Sequence, residues 1–168
     1  MDADGAVAEL FDSAALWLLG SARSEPVIRA ACEVIAAGIE GPHLLMLAAT
    51  SVNEWVSRWE FDPLVARAVA EAGHVLPARG SEQAQSAAAT AMARRVLRGE
   101  VTCRRLASWA HRVIGHEGAL DLQRLVVLDD EYDLVEYDLV EYMGPVDRMA
   151  DLDAEVRAEA RRLCATSG

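Results

Sequence analysis

The chain has 168 residues and a net charge of −11, and all 16 of its positive residues are arginine. A chain of this length is expected to form one domain with a sizeable buried core. Its acidic balance argues against general binding to nucleic acid, whose phosphates need a basic surface. The longest apolar runs are too short to span a membrane and the acidic N-terminal residues lack the positive region of a secretory signal, so we expect a cytoplasmic protein.

The first half of the chain has the apolar spacing of amphipathic helices. Apolar residues recur at three- and four-residue steps over residues 7–18. Pro42 is expected to open a short, almost wholly apolar helix that must be buried. Ser51 and Glu54 have the spacing of a capping box and predict a further short helix. Asp62 and Pro63 together predict the start of the next helix, which should end at Gly73.

The second half continues the helical pattern after a loop predicted over residues 73–80. Ser81 is expected to begin a long alanine-rich helix, and Thr102 to cap the helix that follows. Another helix is expected to run from Asp121 into an acidic tract, and Asp147 to begin the last one. The sequence therefore predicts an all-α fold, a single-domain bundle of about seven helices over residues 1–168, with possible lobes at 1–73 and 81–168.

Three segments resemble uncharacterised small all-helical proteins of high-GC actinomycetes. They are residues 30–49 (AACEVIAAGIEGPHLLMLAA), residues 93–116 (ARRVLRGEVTCRRLASWAHRVIGH) and residues 152–164 (LDAEVRAEARRLC). The resemblance implies an all-helical fold and transfers no catalytic or binding residue to this chain.

The acidic tract of residues 129–142, DDEYDLVEYDLVEY, contains the pentapeptide YDLVE twice in tandem and no positive charge. A step of five residues turns a helix by about 140°, so equivalent side chains of the two copies point in different directions. Because packing alone does not explain this pattern, we interpret the tract as a surface that binds a basic protein partner, as in an inhibitor, an immunity protein or an adaptor. The predicted partner-binding residues are Asp129, Asp130, Glu131, Tyr132, Asp133, Glu136, Tyr137, Asp138, Glu141 and Tyr142.

The basic residues of the chain cluster between the predicted loop and this tract. They could bind a phosphate or an acidic peptide, or pair with acids of the same chain, or receive the acidic tract of a second copy in a homo-oligomer. The possible anion-binding residues are Arg94, Arg95, Arg98, Arg104 and Arg105, with Arg112 nearby. An alternative function is therefore a small-molecule or phosphate-binding domain, or an enzyme, with a pocket between the lobes near Trp59, His74 and these arginines.

Two patterns have the residue types of metal sites but not their context. Residues 129–133 match the DDxxD spacing of magnesium-binding isoprenoid synthases, without the second metal-binding motif that those enzymes need. His111 and His116 are five residues apart, whereas two imidazoles on one helical face require a step of four. We therefore predict no metal, no cofactor and no catalytic residue.

Overall fold

The structure is a computed structural model that describes residues 2–51, 57–142 and 147–166, without the side chains of residues 138–142 and 147. Over these ranges it contains eight α-helices, one 3₁₀ turn at Leu120–Leu122 and no strand, which confirms the all-α prediction. The helices are α1 (Ala3–Leu18), α2 (Ser24–Ala36), α3 (Pro42–Ala48), α4 (Arg58–Glu71), α5 (Glu82–Leu97), α6 (Cys103–Val113), α7 (Gln123–Tyr142) and α8 (Asp147–Thr166). Within the described part of the chain, no helix is long and apolar enough to cross a membrane.

Local signals set several helix boundaries as predicted. The side chain of Thr102 accepts a hydrogen bond of 3.2 Å from the amide of Arg105 and so caps α6. Ser81 does the same for α5 through the amide of Ala84, at 3.1 Å. Gly115 follows α6 with a φ of 69°, a left-handed conformation that favours glycine because other residues are strained there. The chain therefore reverses direction immediately after α6.

The prediction that α3 is buried throughout is wrong. Leu44 and Leu47 are fully buried, but Leu45 is 51% exposed and Met46 is 59% exposed. The helix packs against α2 and α4. A helix that is covered on one side buries only the residues that recur at three- and four-residue steps, so the two residues between them face outward.

The predicted helix start at Asp62 and Pro63 is also wrong, because α4 begins at Arg58 and continues through both residues. Pro63 has no N–H and leaves one carbonyl of the preceding turn without its helical hydrogen bond. The Asp62 carboxylate does not cap α4 but accepts a hydrogen bond of 2.7 Å from Nε1 of Trp17 in α1. The predicted capping box involves Glu54, which lies outside the described residues.

The chain divides into two compact units, Met1–Ala84 and Gln85–Gly168. We call them the amino-terminal unit and the carboxy-terminal unit. The division falls in the first turn of α5, a few residues after the loop in which the sequence placed a boundary between possible lobes.

The amino-terminal unit has an apolar core between α1, α2, α3 and α4. Trp17 and Phe61 meet there edge to face, with their ring centroids 4.9 Å apart. Asp62 lies at the edge of this core. Its carboxylate accepts the hydrogen bond from Trp17 and also forms an ion pair of 2.7 Å with Arg79. The largest fully buried aliphatic residues of this core are Leu10, Val27, Val34, Leu44, Leu47 and Val65.

In the carboxy-terminal unit, α6, α7 and α8 pack against one another. Its core combines leucines with the aromatic residues Trp109 and Tyr132, and the alanine-rich α5 buries small side chains. The larger core residues of α6, α7 and α8 include Leu106, Trp109, Leu125, Val126, Leu128, Tyr132, Val135, Leu152, Val156 and Leu163. The acidic tract therefore begins on a helix whose other side is part of a hydrophobic core.

Candidate functional site

Helix α7 has a buried face and an exposed face. The centre of the buried face has residues at three- and four-residue steps, as expected for a helix packed on one side: Leu125, Leu128, Tyr132 and Val135, with Val126 and Asp129 buried beside them. The exposed face, which we call the outer face of α7, consists of Val127, Asp130, Leu134 and Tyr137. Its three apolar members are 40%, 65% and 62% exposed, respectively.

The two copies of the pentapeptide place equivalent residues in different environments. Tyr132 and Tyr137 occupy the same position of the repeat, but Tyr132 is fully buried and Tyr137 is 62% exposed. The difference follows from the five-residue step, which rotates one tyrosine about 140° from the other. The expected scatter of equivalent side chains is confirmed for this pair.

Tyr132 was predicted to contact a partner, and its burial corrects that prediction. Its hydroxyl donates a hydrogen bond of 2.6 Å to Asp153 in α8. The guanidinium of Arg104 lies 5.3 Å from the centre of its ring. Burial and the bond to Asp153 raise the pKa of Tyr132 well above its usual value. This tyrosine joins α7 to α8 and does not belong to an exposed binding surface.

Asp129 is also buried, at 6% exposure, and Arg104 of α6 compensates its charge. The same guanidinium binds Asp133 and, at 2.8 Å, Glu136. These three acids follow one another at steps of four and three residues, so they lie on one side of α7. A magnesium ion bound through Asp129 and Asp133 would have to displace this guanidinium.

The arginines predicted to bind an anion are thus partly engaged within the chain. Besides the contacts of Arg104, Nε of Arg98 lies 2.5 Å from Glu100. Arg94 and Arg95 are half-buried and also have interaction partners, whereas Arg105 is exposed. At Arg98 and Arg104 the structure shows pairing with acids of the same chain, which is one of the alternatives that the sequence leaves open.

The remaining acids of the tract differ in their surroundings. Glu131 accepts a hydrogen bond of 2.7 Å from Arg124, which also binds Glu155 in α8. Asp138, Glu141 and Tyr142 lie in the last turns of α7, but their side chains are outside the described part of the structure. The prediction for these three residues is therefore neither confirmed nor corrected.

Asp130 lies beside two histidines from a different part of the chain. Its Oδ1 is 3.3 Å from Nδ1 of His111, in the last turn of α6, and its Oδ2 is 3.7 Å from Nε2 of His116, in the loop that follows. The two imidazoles meet edge to face, with their centroids 5.0 Å apart. Nδ1 of His111 also lies 2.9 Å from Oδ2 of Asp129. One carboxylate and two imidazoles thus converge at the exposed side of α6 and α7.

The loop that presents His116 is held in place by hydrogen bonds to α5 and α7. The side-chain amide of Gln123 donates to the carbonyl of Gly115 at 3.0 Å. The amide of Ala119 donates to Oε1 of Gln85 at 2.8 Å. A Cβ at Gly118 would lie 2.3 Å from the side chain of Ile114, so the loop can fold this tightly only with glycine there.

The sequence interpretation placed His111 at the end of α6 and His116 in the loop after Gly115, but it did not predict that this loop brings His116 back beside His111. The five-residue step separates two imidazoles only where the helix continues, and Gly115 ends it between them. A usable signal was present: a helix that stops at glycine and is followed by a short loop can bring the next side chain back to the last turn. The acidic partner, 14 residues beyond His116, could not be identified from spacing.

A second histidine and carboxylate pair lies in the amino-terminal unit. Both oxygens of Glu71 accept hydrogen bonds from the amide of His43, at 3.1 and 3.0 Å, and one of them also accepts a bond of 2.9 Å from the amide of Leu44. Nδ1 of His43 lies 2.5 Å from the same carboxylate. Burial raises the pKa of Glu71, but these hydrogen bonds outweigh it and the net pKa is lowered. Glu71 therefore acts as a distant cap for α3.

The amino-terminal unit also has a pocket beside Trp59. The indole is 90% exposed. The pocket has a volume of about 430 Å³ and is lined by Arg58, Trp59, Asp62, Pro63 and Arg79. The other residue that the sequence placed near such a pocket, His74, packs against Phe11 with the ring centroids 5.5 Å apart.

Compared with known proteins, the chain matches no protein-family model, no curated protein and no solved structure at a significant level. Function must therefore be inferred from the residues and the geometry of the chain itself.

Proposed function

We propose that the protein is a cytoplasmic acidic helical module that binds a basic protein partner through the outer face of α7. An inhibitor, an immunity protein or an adaptor would work in this way. The observation that supports the proposal best is the exposure of Leu134 and Tyr137, at 65% and 62%, on the side of α7 that faces away from its core.

Leu134 and Tyr137 are separated by three residues and lie on the same side of the helix. Aromatic residues often supply much of the energy at protein interfaces, because they bury a large rigid area at a small cost in side-chain entropy. Val127 extends the apolar stripe by two turns towards the start of α7. The stripe can receive the apolar side chains of a partner.

The charges around this stripe specify a basic partner. Residues 129–142 include seven acids and no arginine. Arg104 compensates acids along one edge of α7, while Asp130 lies within the outer face and is 43% exposed at its side chain. Such a surface attracts positive segments at long range and orients them before contact.

The test is a selection of peptides from a random library displayed on phage, with the metal-free wild-type protein as bait. We expect enriched peptides that combine arginine or lysine with aromatic or aliphatic residues. The dissociation constant of the best peptide should rise at least about tenfold in the double variant Leu134→Ala/Tyr137→Ala, because truncating anchor residues costs about 1–2 kcal/mol or more. Binding should also weaken as the salt concentration increases, because exposed charges are screened.

The matched control is Leu120→Ala, which removes a leucine that is 89% exposed in the same unit but outside α7. This variant should bind the peptide as the wild type does. Equal affinity of the wild type and the double variant would contradict the proposal, and so would the enrichment of acidic peptides. A salt-sensitive dimer of the protein alone, seen by light scattering and lost in the double variant, would show that the outer face binds a second copy instead.

The pocket beside Trp59 supports a second candidate function, the binding of a small phosphate ligand. An exposed indole beside Arg58 combines a stacking surface with a positive charge. Inorganic pyrophosphate should then raise the melting temperature of the wild type but not that of Arg58→Ala, since a ligand of the native state stabilises it. An equal rise in both proteins, or none in either, would rule out this candidate.

A further inference from the structure

His111, His116 and Asp130 have side chains of types that bind zinc. One possible ligand atom from each of them lies within 4.8 Å of the other two. Two imidazoles and one carboxylate are also the protein ligands of several zinc sites that keep a fourth position for water. We propose that these three residues form a binding site for Zn²⁺ or a similar divalent transition-metal ion.

The distances suit a metal site better than a set of hydrogen bonds. Asp130 is 3.3 Å from His111 and 3.7 Å from His116, both longer than an ordinary N–H···O bond of about 2.7–3.2 Å. Neighbouring ligands of tetrahedral zinc are about 3.3–3.5 Å apart, given zinc–ligand distances of about 2.0–2.2 Å. Both contacts of Asp130 are therefore close to the spacing of zinc ligands, and all three ligand atoms lie within 4.8 Å of one another.

The surroundings of the three residues are ordered before any ion arrives. Asp129 contacts Nδ1 of His111 at 2.9 Å and is itself bound by Arg104. Because Nδ1 of His111 faces both Asp129 and Asp130, an ion that binds this nitrogen would replace its contact with Asp129, whose carboxylate remains bound by Arg104. The hydrogen bonds of Gln123 fix the loop on the other side, so that His116 stays close to α7.

Charge and access also favour a cation at this position. Arg104 compensates Asp129, whereas the carboxylate of Asp130 faces two imidazoles that are neutral when they coordinate a metal. The side chains of Asp130 and His116 are 43% and 58% exposed, so an ion can enter directly from solvent. The ligand types exclude a preference for Mg²⁺ or Ca²⁺, which favour oxygen ligands.

The test is a titration of the metal-free protein with ZnCl₂ by isothermal titration calorimetry. We expect one equivalent per chain, with a dissociation constant on the order of 1 μM or lower. The affinity should fall at least about tenfold in His116→Gln and in Asp130→Asn. His116→Gln is the more informative variant, because this side chain is exposed and its loss should leave the fold intact; circular dichroism without metal verifies this.

The matched control is the double variant His43→Ala/His74→Ala, which removes the two histidines of the amino-terminal unit and should bind zinc as the wild type does. Co²⁺ should give the visible absorption of a tetrahedral complex in the wild type and lose it in His116→Gln. Zinc binding that is unchanged in His116→Gln and Asp130→Asn would overturn the proposal. The same conclusion would follow if the wild type bound no zinc. These outcomes are independent of the peptide selection, which uses metal-free protein.

Discussion

Each unit of the molecule brings histidine and carboxylate side chains together, but the two arrangements differ in how the carboxylate is satisfied. In the amino-terminal unit, Glu71 accepts bonds from the backbone amides of His43 and Leu44 at the start of α3, in addition to its contact with the His43 ring. In the carboxy-terminal unit, Asp130 faces two imidazoles at 3.3 and 3.7 Å.

The comparison shows that residue types alone do not distinguish a structural contact from a binding site. Glu71 is so close to the backbone that a Cβ at Gly41 would lie 2.2 Å from its carboxylate, which leaves little room for a ligand. Asp130 has longer contacts and lies on an exposed face. The contact of His43 with Glu71 stabilises the start of α3. The cluster of Asp130 and the two imidazoles is suited to bind an ion from solution.

The largest expected effect on stability comes from Arg104→Ala, which tests whether Arg104 stabilises the carboxy-terminal unit by compensating the charge of Asp129. The substitution leaves the buried Asp129 without its guanidinium, and we expect the free energy of unfolding to fall by about 3 kcal/mol. Urea denaturation followed by circular dichroism measures the loss. The control is Arg29→Ala, whose partner Glu25 is half exposed; it should change stability by no more than about 0.5 kcal/mol. Equal effects of the two substitutions would contradict the described role of Arg104.

Glu71→Ala should destabilise the protein by about 2 kcal/mol, because it removes the hydrogen bonds that satisfy the first amides of α3. The same denaturation experiment tests this value. Glu40→Ala, at an exposed position nearby, should stay within about 0.5 kcal/mol of the wild type. If Glu71→Ala bound zinc less well than the wild type, Glu71 would take part in metal binding and its role would not be only structural.

The lowered pKa of Glu71 predicts a dependence of stability on pH. As the pH falls, the unfolded chain takes up the proton first, because its glutamate has the higher pKa, near 4.5. The contribution of Glu71 is therefore complete above the unfolded pKa and is lost as the pH falls through the lower folded value. The stability difference between the wild type and Glu71→Gln should shrink over this acidic range. A difference that does not change with pH would show that the charge of Glu71 has no role.

A smaller effect is expected at the two tyrosines of the repeat. Tyr132→Phe removes the hydroxyl that donates to Asp153 and should cost about 1 kcal/mol. Tyr137→Phe should be neutral within about 0.5 kcal/mol, because this side chain is mostly exposed. Nitration followed by mass spectrometry gives an independent measurement: Tyr137 should react and Tyr132 should be protected.

Much of the fold could be predicted from local patterns. Thr102, Ser81 and Gly115 act within one turn of the residues they affect, so their roles follow from the sequence. The pattern could not show that Asp62 bonds Trp17, 45 residues away, and therefore does not cap a helix. The cap of α3 by Glu71 is missed for the same reason, since its partners are 27 and 28 residues distant.

The candidate site shows the same limit more clearly. The five-residue repeat correctly predicts that Tyr132 and Tyr137 face different ways, but it does not say which of them is inside. Tyr132 is the buried one because it lies on the same side of α7 as Leu125 and Leu128. The packing of α7 against α6 and α8 determines that this side is buried. Likewise, the distance from His116 to Asp130 depends on how a loop is folded, and no spacing rule contains that information.

Anomalous diffraction at the zinc absorption edge, from crystals grown with ZnCl₂, tests the contrast between the two units most directly. We expect a peak about 2.0–2.2 Å from a nitrogen of His111, a nitrogen of His116 and an oxygen of Asp130, with no peak at His43 and Glu71. A peak at His43 and Glu71, or no peak at His111 and His116, would show that the two units do not differ in this way.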